Sequence, residues 1–325
     1  MVDYRKIQQT GGKTGSSFLI ILPKEWVVRQ KLVKGDPVVV AEREDGCLIV
    51  DPRLPKAGET RGTDVDIQSN LRWSLTAAYL LGFDEIRVVS DNQITSDQRA
   101  ELKKIIKRFV ALEVTDESEN QIVIRCLVDP STLPVHKAMR RMNLISTRML
   151  DDSITAYYEG NKENATDVIE RDEEVNRLFF LTVRQLRSVI QYPRMSEKMN
   201  ITPVEALDFR LAAQYIERIA DLAVDIARQT NEPLSSKLIK KIDPIVTQIK
   251  DMLSKSVSNL FTFDSEKVDC VIEAEQRLIE ETSKLRQFLV SLHGEDTHAH
   301  LYVTDRLLRI GEAAKDITDL ALPHT

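Results

Sequence analysis

The sequence predicts a multidomain chain: a small β domain, a mixed α/β middle segment, and an all-α tandem pair of three-helix bundles. Three observations predict it. Short alternating apolar runs bounded by Gly, Asp and Pro fill residues 1–52. From Pro130 onward the apolar spacing is helical throughout. Within that helical half the same residue patterns recur at fixed offsets. The chain has 325 residues, 42% hydrophobic and 30% charged, which is an ordinary soluble composition long enough for two or three domains.

The first domain, residues 1–52, opens with a short basic strand leading to a turn at Gly11 and Gly12. A strand over Phe18–Leu22 and a short helix over Pro23–Lys31 follow. Lys34-Gly35-Asp36 reads as a turn, and Val38–Ala41 and Cys47–Val50 as two strands about Asp45-Gly46. So small a unit buries little core alone, so it either dimerises or leans on the rest of the chain. Residues 1–34 hold Arg5, Lys6, Lys13, Lys24, Arg29, Lys31 and Lys34 against Asp3 and Glu25, a charge of +5 on a chain of net −6. A basic patch on an acidic protein is either the footprint of a polyanion-binding module or a merely solubilising surface. Gly12-Lys13-Thr14 is not a phosphate loop, because that motif needs glycine where Ile7 stands.

Arg5-Lys6, the turn TGGKTGSS, Leu22-Pro23-Lys24-Glu25-Trp26, Lys34-Gly35-Asp36 and Leu48-Ile49-Val50 together resemble the AbrB/SpoVT family of swapped-hairpin DNA-binding domains. The resemblance implies two chains with interlaced strands, double-stranded DNA as partner, and basic residues facing it. Arg5, Lys6, Lys13, Arg29 and Lys31 are the expected contacts.

Arg53–Thr63 reads as a linker, rich in Pro, Gly and charge. Residues 64–129 form the mixed segment: helices over Asn70–Leu80 and Thr95–Val110, a strand over Glu85–Ser90, and a hairpin of Leu112–Thr115 with Gln121–Val128. Thr95 and Gln98 are spaced as a capping box. No chemical constellation stands out here, and the expected role is a spacer or dimerisation segment.

The third domain, residues 131–322, reads as six helices, about 133–159, 162–191, 203–230, 237–262, 264–292 and 299–321. They are three helices repeated. Met149-Leu150 matches Met252-Leu253, and Val168-Ile169-Glu170 matches Val271-Ile272-Glu273, both at an offset of 103. Arg218-Ile219-Ala220-Asp221 matches Arg309-Ile310-Gly311-Glu312 at an offset of 91, the difference being an insertion near Pro193–Thr202. The middle helix of each copy carries an acid within its apolar stripe, at Asp172 and Glu275. Taking a carboxylate out of water costs several kcal/mol unless a cation meets it. Two kinds of partner are on offer. Asp221 and Asp225 share a helix face, as do Glu312 and Asp316, and three carboxylates from two helices make a hard oxygen site for a divalent or iron-type metal ion. Alternatively, Arg218 and Arg309 neutralise the two acids as plain ion pairs.

Ile169-Glu170-Arg171-Asp172-Glu173-Glu174-Val175 and the run Glu217–Ala227, with weaker second copies, resemble the PhoU family of tandem three-helix bundles linked to phosphate-uptake control. The resemblance covers about residues 135–321 and implies acidic motifs on bundle faces, some holding metal clusters. The second copy departs from it, with Glu312 for Asp221 and Leu308 for Glu217, so equal occupancy of the two sites is not expected. An AbrB-like head on a PhoU-like tail resembles fused archaeal phosphate regulators.

Cys47, Cys126 and Cys270 are few and scattered, as in a reducing cytoplasm, and neither a signal peptide nor a membrane span is expected. His293, His298 and His300 crowd one loop, where Glu295-x-x-His298 falls in a connection rather than on a bundle wall. The leading expectation is a DNA-binding regulator of phosphate uptake whose helical tail senses or relays phosphate status. The alternative is an accessory protein that docks on a phosphate transporter or signalling kinase without regulating DNA. A carboxylate-metal enzyme ranks third, since no bundle helix carries Glu-x-x-His and no nucleophile elbow is present.

Overall fold

The computed structural model describes residues 4–10, 17–42, 46–52, 61–127, 132–292 and 296–323. The chain divides into two compact units, Met1–Glu59 and Thr60–Thr325.

In the first unit β1 (Gln8–Thr10) pairs antiparallel with β2 (Ser17–Leu19), α1 covers Lys24–Arg29, and β3 (Val39–Glu42) pairs antiparallel with β4 (Leu48–Asp51). The strand–strand–helix–strand–strand order matches the sequence reading, although β2 is shorter than expected. Gly11, Gly12 and Asp45 lie outside the described residues. The two hairpins are separate ribbons. Among the described residues of this unit only Asp51 is buried, while Phe18, Ile20, Ile21, Val28 and Val33 stay exposed.

The second unit begins with β5 (Gly62–Asp66), α2 (Leu71–Leu80), β6 (Glu85–Val89), α3 (Ser96–Ile106), β7 (Leu112–Glu117) and β8 (Gln121–Cys126). The sheet order is β5-β6-β8-β7, with β5 parallel to β6 across the α2 crossover and the other pairs antiparallel. β5 corrects the sequence reading, which ran the linker to Thr63. Its segment GTDVD carries a single buried apolar residue, Val65, so alternation gives no signal, and pairing with β6 makes it a strand. The Thr95–Gln98 capping box forms as expected. Buried Leu75, Tyr79, Ile86, Val88, Leu102 and Ile124 make this module's core.

The helices follow: α4 (Val135–Glu159), α5 (Lys162–Gln191), α6 (Pro193–Met199), α7 (Pro203–Ala227), α8 (Ser236–Phe261), α9 (Ser265–Leu292) and α10 (Thr297–Asp319). α4, α5 and α7 form one three-helix bundle, and α8, α9 and α10 another, joined along α7–α10 and α4–α8. One continuous apolar core runs through both. The short α6 occupies the insertion that shifts the repeat offset, with proline at its first turn. α4 ends at Gly160, in the left-handed conformation at φ 69°. A Cβ there would come within 2.8 Å of Asn231 O, so the turn needs glycine.

The α/β module is not a free spacer. Tyr79, Phe109 and Phe180 stack in series from the module onto α5. Arg184 of α5, 2% exposed, donates to Tyr79 O at 2.6 Å and Phe83 O at 3.1 Å, just past the end of α2.

Candidate functional site

α5 and α7 face each other with an acidic seam at the edge of their apolar contact. Asp172 projects from α5, and Glu217 and Asp221 from α7, four residues apart and therefore on one face. Asp172 and Glu275 are half-buried, not core residues as the apolar stripe suggested. Asp172 Oδ2 accepts from Asn176 Nδ2 at 2.8 Å, while its buried Oδ1 has no hydrogen-bond donor. Burial pushes the Asp172 carboxyl up to about 6, with the negative charges of Asp221 and Glu173 adding to the effect. Burial likewise pushes Glu217 up to about 7, reinforced by Asp221 and Asp172. Asp221 is raised too, burial first, against relief from Arg218. Burial thus favours the protonated form of all three carboxyls in a partly dry seam, where the buried Asp172 Oδ1 has no partner.

Neither arginine serves the buried acids as the plain ion-pair reading required. Arg218 is exposed and lies 3.9 Å from Asp221, and Arg309 pairs with Asp305 at 2.9 Å. Asp225 also departs from its expected place. Its carboxylate accepts from Arg306 Nε of α10 at 2.8 Å, which ties the two bundles together. Asp172 and Glu217 thus both feel the charge of Asp221, while Asp225 pairs with Arg306. As the side chains stand, no three His, Cys, Asp or Glu groups among the described residues converge tightly enough to hold an ion. The first-bundle acids fit a hard cation by donor chemistry and by the orphaned Asp172 oxygen, and closing on one requires side-chain rotation.

The second bundle is weaker. Burial raises Glu275, but Lys315 opposes it, and the same lysine pairs with Asp319. Asp316 is raised by burial against the same lysine, and Glu312 is exposed. A resident cation already stands among these acids.

Of the expected DNA contacts, Arg5, Lys6, Arg29 and Lys31 are exposed, and Lys13 lies outside the described residues. Lys31 itself takes the left-handed conformation, φ 56°, as the chain leaves α1. His293 and Glu295 also lie outside the described residues, while the His300 ring faces the Tyr157 hydroxyl of α4. Among the described residues Cys47, Cys126 and Cys270 form no disulfide. Among the described residues no helix is long and apolar enough to cross a membrane.

The PhoU domain family matches residues 139–230, which span α4 to the end of α7. The phosphate-specific transport system accessory protein PhoU homolog of Clostridium acetobutylicum is 24% identical over 157 residues, 48% of this chain and 61% of that protein. The chain thus spans less than two thirds of that relative's length. The crystal structure of PhoU from Pseudomonas aeruginosa superposes with a TM-score of 0.51 at 20% identity, over 57% of this chain and 93% of that one, a likeness of fold. The helical half of the chain, with the acidic seam on its first bundle, is PhoU-like in sequence and in fold.

Proposed function

We propose that the protein is a PhoU-type accessory regulator of phosphate uptake that acts by docking on a phosphate transporter or its signalling kinase. The observation that carries this is the PhoU domain over residues 139–230, which contains all three acids of the seam. The similarity to a phosphate-specific transport accessory protein supports this reading above one in which DNA binding is primary. The role is regulatory rather than catalytic.

Asp172, Glu217 and Asp221 are the proposed ligands of a divalent or iron-type cation, with Asp225 joining only if Arg306 releases it. When bound, such an ion supplies the positive charge that lets all three carboxyls ionise together. Asp172 positions the site from α5, and the i, i+4 pair Glu217–Asp221 fixes it on α7. The Glu275, Glu312 and Asp316 set is the weaker proposed site, because Lys315 competes for it. Metal analysis of the purified protein, with melting measured before and after chelation, tests the assignment. The expected outcome is a melting temperature that falls on chelation and recovers with added metal, by mass action. Chelator-insensitive melting in a metal-free preparation removes it.

A second reading concerns the N-terminal unit, as a DNA-binding dimer of the AbrB type. Its support is the conjunction of exposed Arg5, Lys6, Arg29 and Lys31 with apolar side chains that its own fold leaves uncovered. One genetic experiment separates the readings. Phosphate uptake is measured in a strain lacking the gene, then with wild type or the Arg5→Ala, Lys6→Ala double variant restored. The accessory reading expects deregulated uptake that both versions correct. Correction by wild type alone assigns the primary role to DNA, and unchanged uptake in the deletion strain overturns both.

A further inference from the structure

A groove of about 710 Å3 lies where α4 of the first bundle crosses α8 of the second. Its chemistry is opposite to that of the acidic seam. Arg140, Lys250 and Lys267 line it, and among the described residues no carboxylate does, on a chain of net −6. Lys250 lies 2.7 Å from Asp151, and Lys267 lies 3.8 Å from Asp264, so both are held in place from outside the groove. Arg140 makes no ion pair among the described residues; its guanidinium lies 4.8 Å from the centre of the Phe261 ring. The Thr147 and Ser254 hydroxyls also line the groove, with no protein hydrogen-bond partner among the described residues. Val257 and Phe261 supply an apolar floor.

A guanidinium fork at the Lys267 end of the groove, with unpartnered hydroxyls along it, suits the oxygens of a phosphate, while Lys250 stands about three helical turns away beside Asp151. The apolar floor and the volume suit an attached organic body, since small-molecule sites span roughly 300–1,000 Å3. A lone phosphate ion would leave most of this groove unfilled. We infer that the α4–α8 groove binds a phosphorylated small molecule of nucleotide size. Its phosphate lies on Arg140 with Lys267, and its organic part extends over Leu144 and Val257 towards Lys250. The inference does not rest on the metal or transporter reading, because it uses other helices and the opposite charge. A ligand there would tie the first bundle to the second.

The test is calorimetric titration of the full chain with adenine and guanine mono-, di- and triphosphates, and with orthophosphate as a separate arm. Two variants carry the assignment. Arg140→Met removes the fork from an exposed position, and Ser254→Trp fills the groove without changing charge. The expected result is binding of at least one nucleotide, weakened at least tenfold by Arg140→Met and abolished by Ser254→Trp, with melting curves unchanged. Binding that survives Ser254→Trp places the nucleotide elsewhere, for example on the basic head, and overturns the inference. So does orthophosphate binding as tightly as any nucleotide, or no binding by any member of the panel.

Discussion

Arg184 shows what one buried side chain does here. It is 2% exposed, its Nε has no partner, and its Nη1 serves two carbonyls at the end of α2. Replacing it with methionine takes the donor from Phe83 O, while Tyr79 O keeps the Gly82 amide. An orphaned carbonyl costs about 1–3 kcal/mol, so Arg184→Met should destabilise the chain by roughly 1–3 kcal/mol in denaturant titration. An unchanged midpoint would mean the arginine is not the bolt between module and bundle. The acids of the seam act through pH. Asp172 rises from 3.8 to about 6, and Glu217 from 4.5 to about 7. An acid whose folded pKa is raised holds its proton more tightly when folded, so its penalty is absent below its unfolded value and complete above its folded one. The metal-free protein should therefore lose stability as pH climbs from about 4 to about 7. Asp172→Asn should stabilise the protein at pH 7.5, by on the order of 1–2 kcal/mol after allowing for solvent screening, and leave its stability unchanged near pH 4. A variant less stable than wild type at pH 7.5 under chelation would contradict the burial penalty. Much of this seam was legible, because Asp172 and Asp221 stand at repeated positions. Asp225 was misplaced because i, i+4 spacing fixes a face but not the neighbour that covers it. That neighbour, Arg306, comes from a helix 81 residues further along.

Helix packing carries its own record of the duplication. Gly311 of α10 faces Leu278 of α9 so closely that a Cβ would come 2.0 Å from Leu278 Cδ2. In the first copy the equivalent positions hold Ala220 and Val175, both fully buried. A larger residue on one helix goes with a smaller one on the other, so the volume at the crossing is conserved between copies. Gly311→Ala should thus overpack the second bundle and cost about 1–3 kcal/mol, despite alanine's better helix propensity. Adding Leu278→Val to copy the first bundle should recover most of that stability in a double-mutant cycle. Additive effects would mean the two positions do not share the space. Long helices were legible within a few residues, because apolar faces over many turns average out local noise. Short elements were not. β5 has one buried apolar residue and depends on β6, and the seven residues of α6 span too few turns to show a period, so the sequence marks only an insertion there. The α/β module's docking was invisible for the same reason as Asp225: Arg184 lies 105 residues from the carbonyl it holds.

At the scale of the whole molecule, the two compact units differ in self-sufficiency. Residues Thr60–Thr325 share large continuous cores, whereas among the described residues of Met1–Glu59 many apolar side chains, Ile7, Phe18, Ile20 and Val28 among them, are exposed. Ile7 and Phe18 are each 70% exposed and Ile20 is 59% exposed, on or beside two-stranded ribbons that are marginal alone. Apolar surface at this density marks an association face, and unpaired ribbon edges invite a second copy of the same strands. The full chain should therefore sediment as a dimer, and one charge placed in that face should split it. Phe18→Asp is the sharpest choice, because its exposure in the single chain means that the helical unit need not change. The variant should become monomeric, keep the melting transition of the helical unit, and lose DNA affinity if DNA is bound by the paired heads. If the paired heads bind DNA, salt dependence reports which side chains meet its backbone. In the intact dimer, every phosphate that Arg5→Ala and Lys6→Ala leave unneutralised should lower the log–log slope by about 0.9. A Phe18→Asp chain that stays dimeric would move the dimer interface out of the head. A double variant with an unchanged slope would take DNA binding away from Arg5 and Lys6.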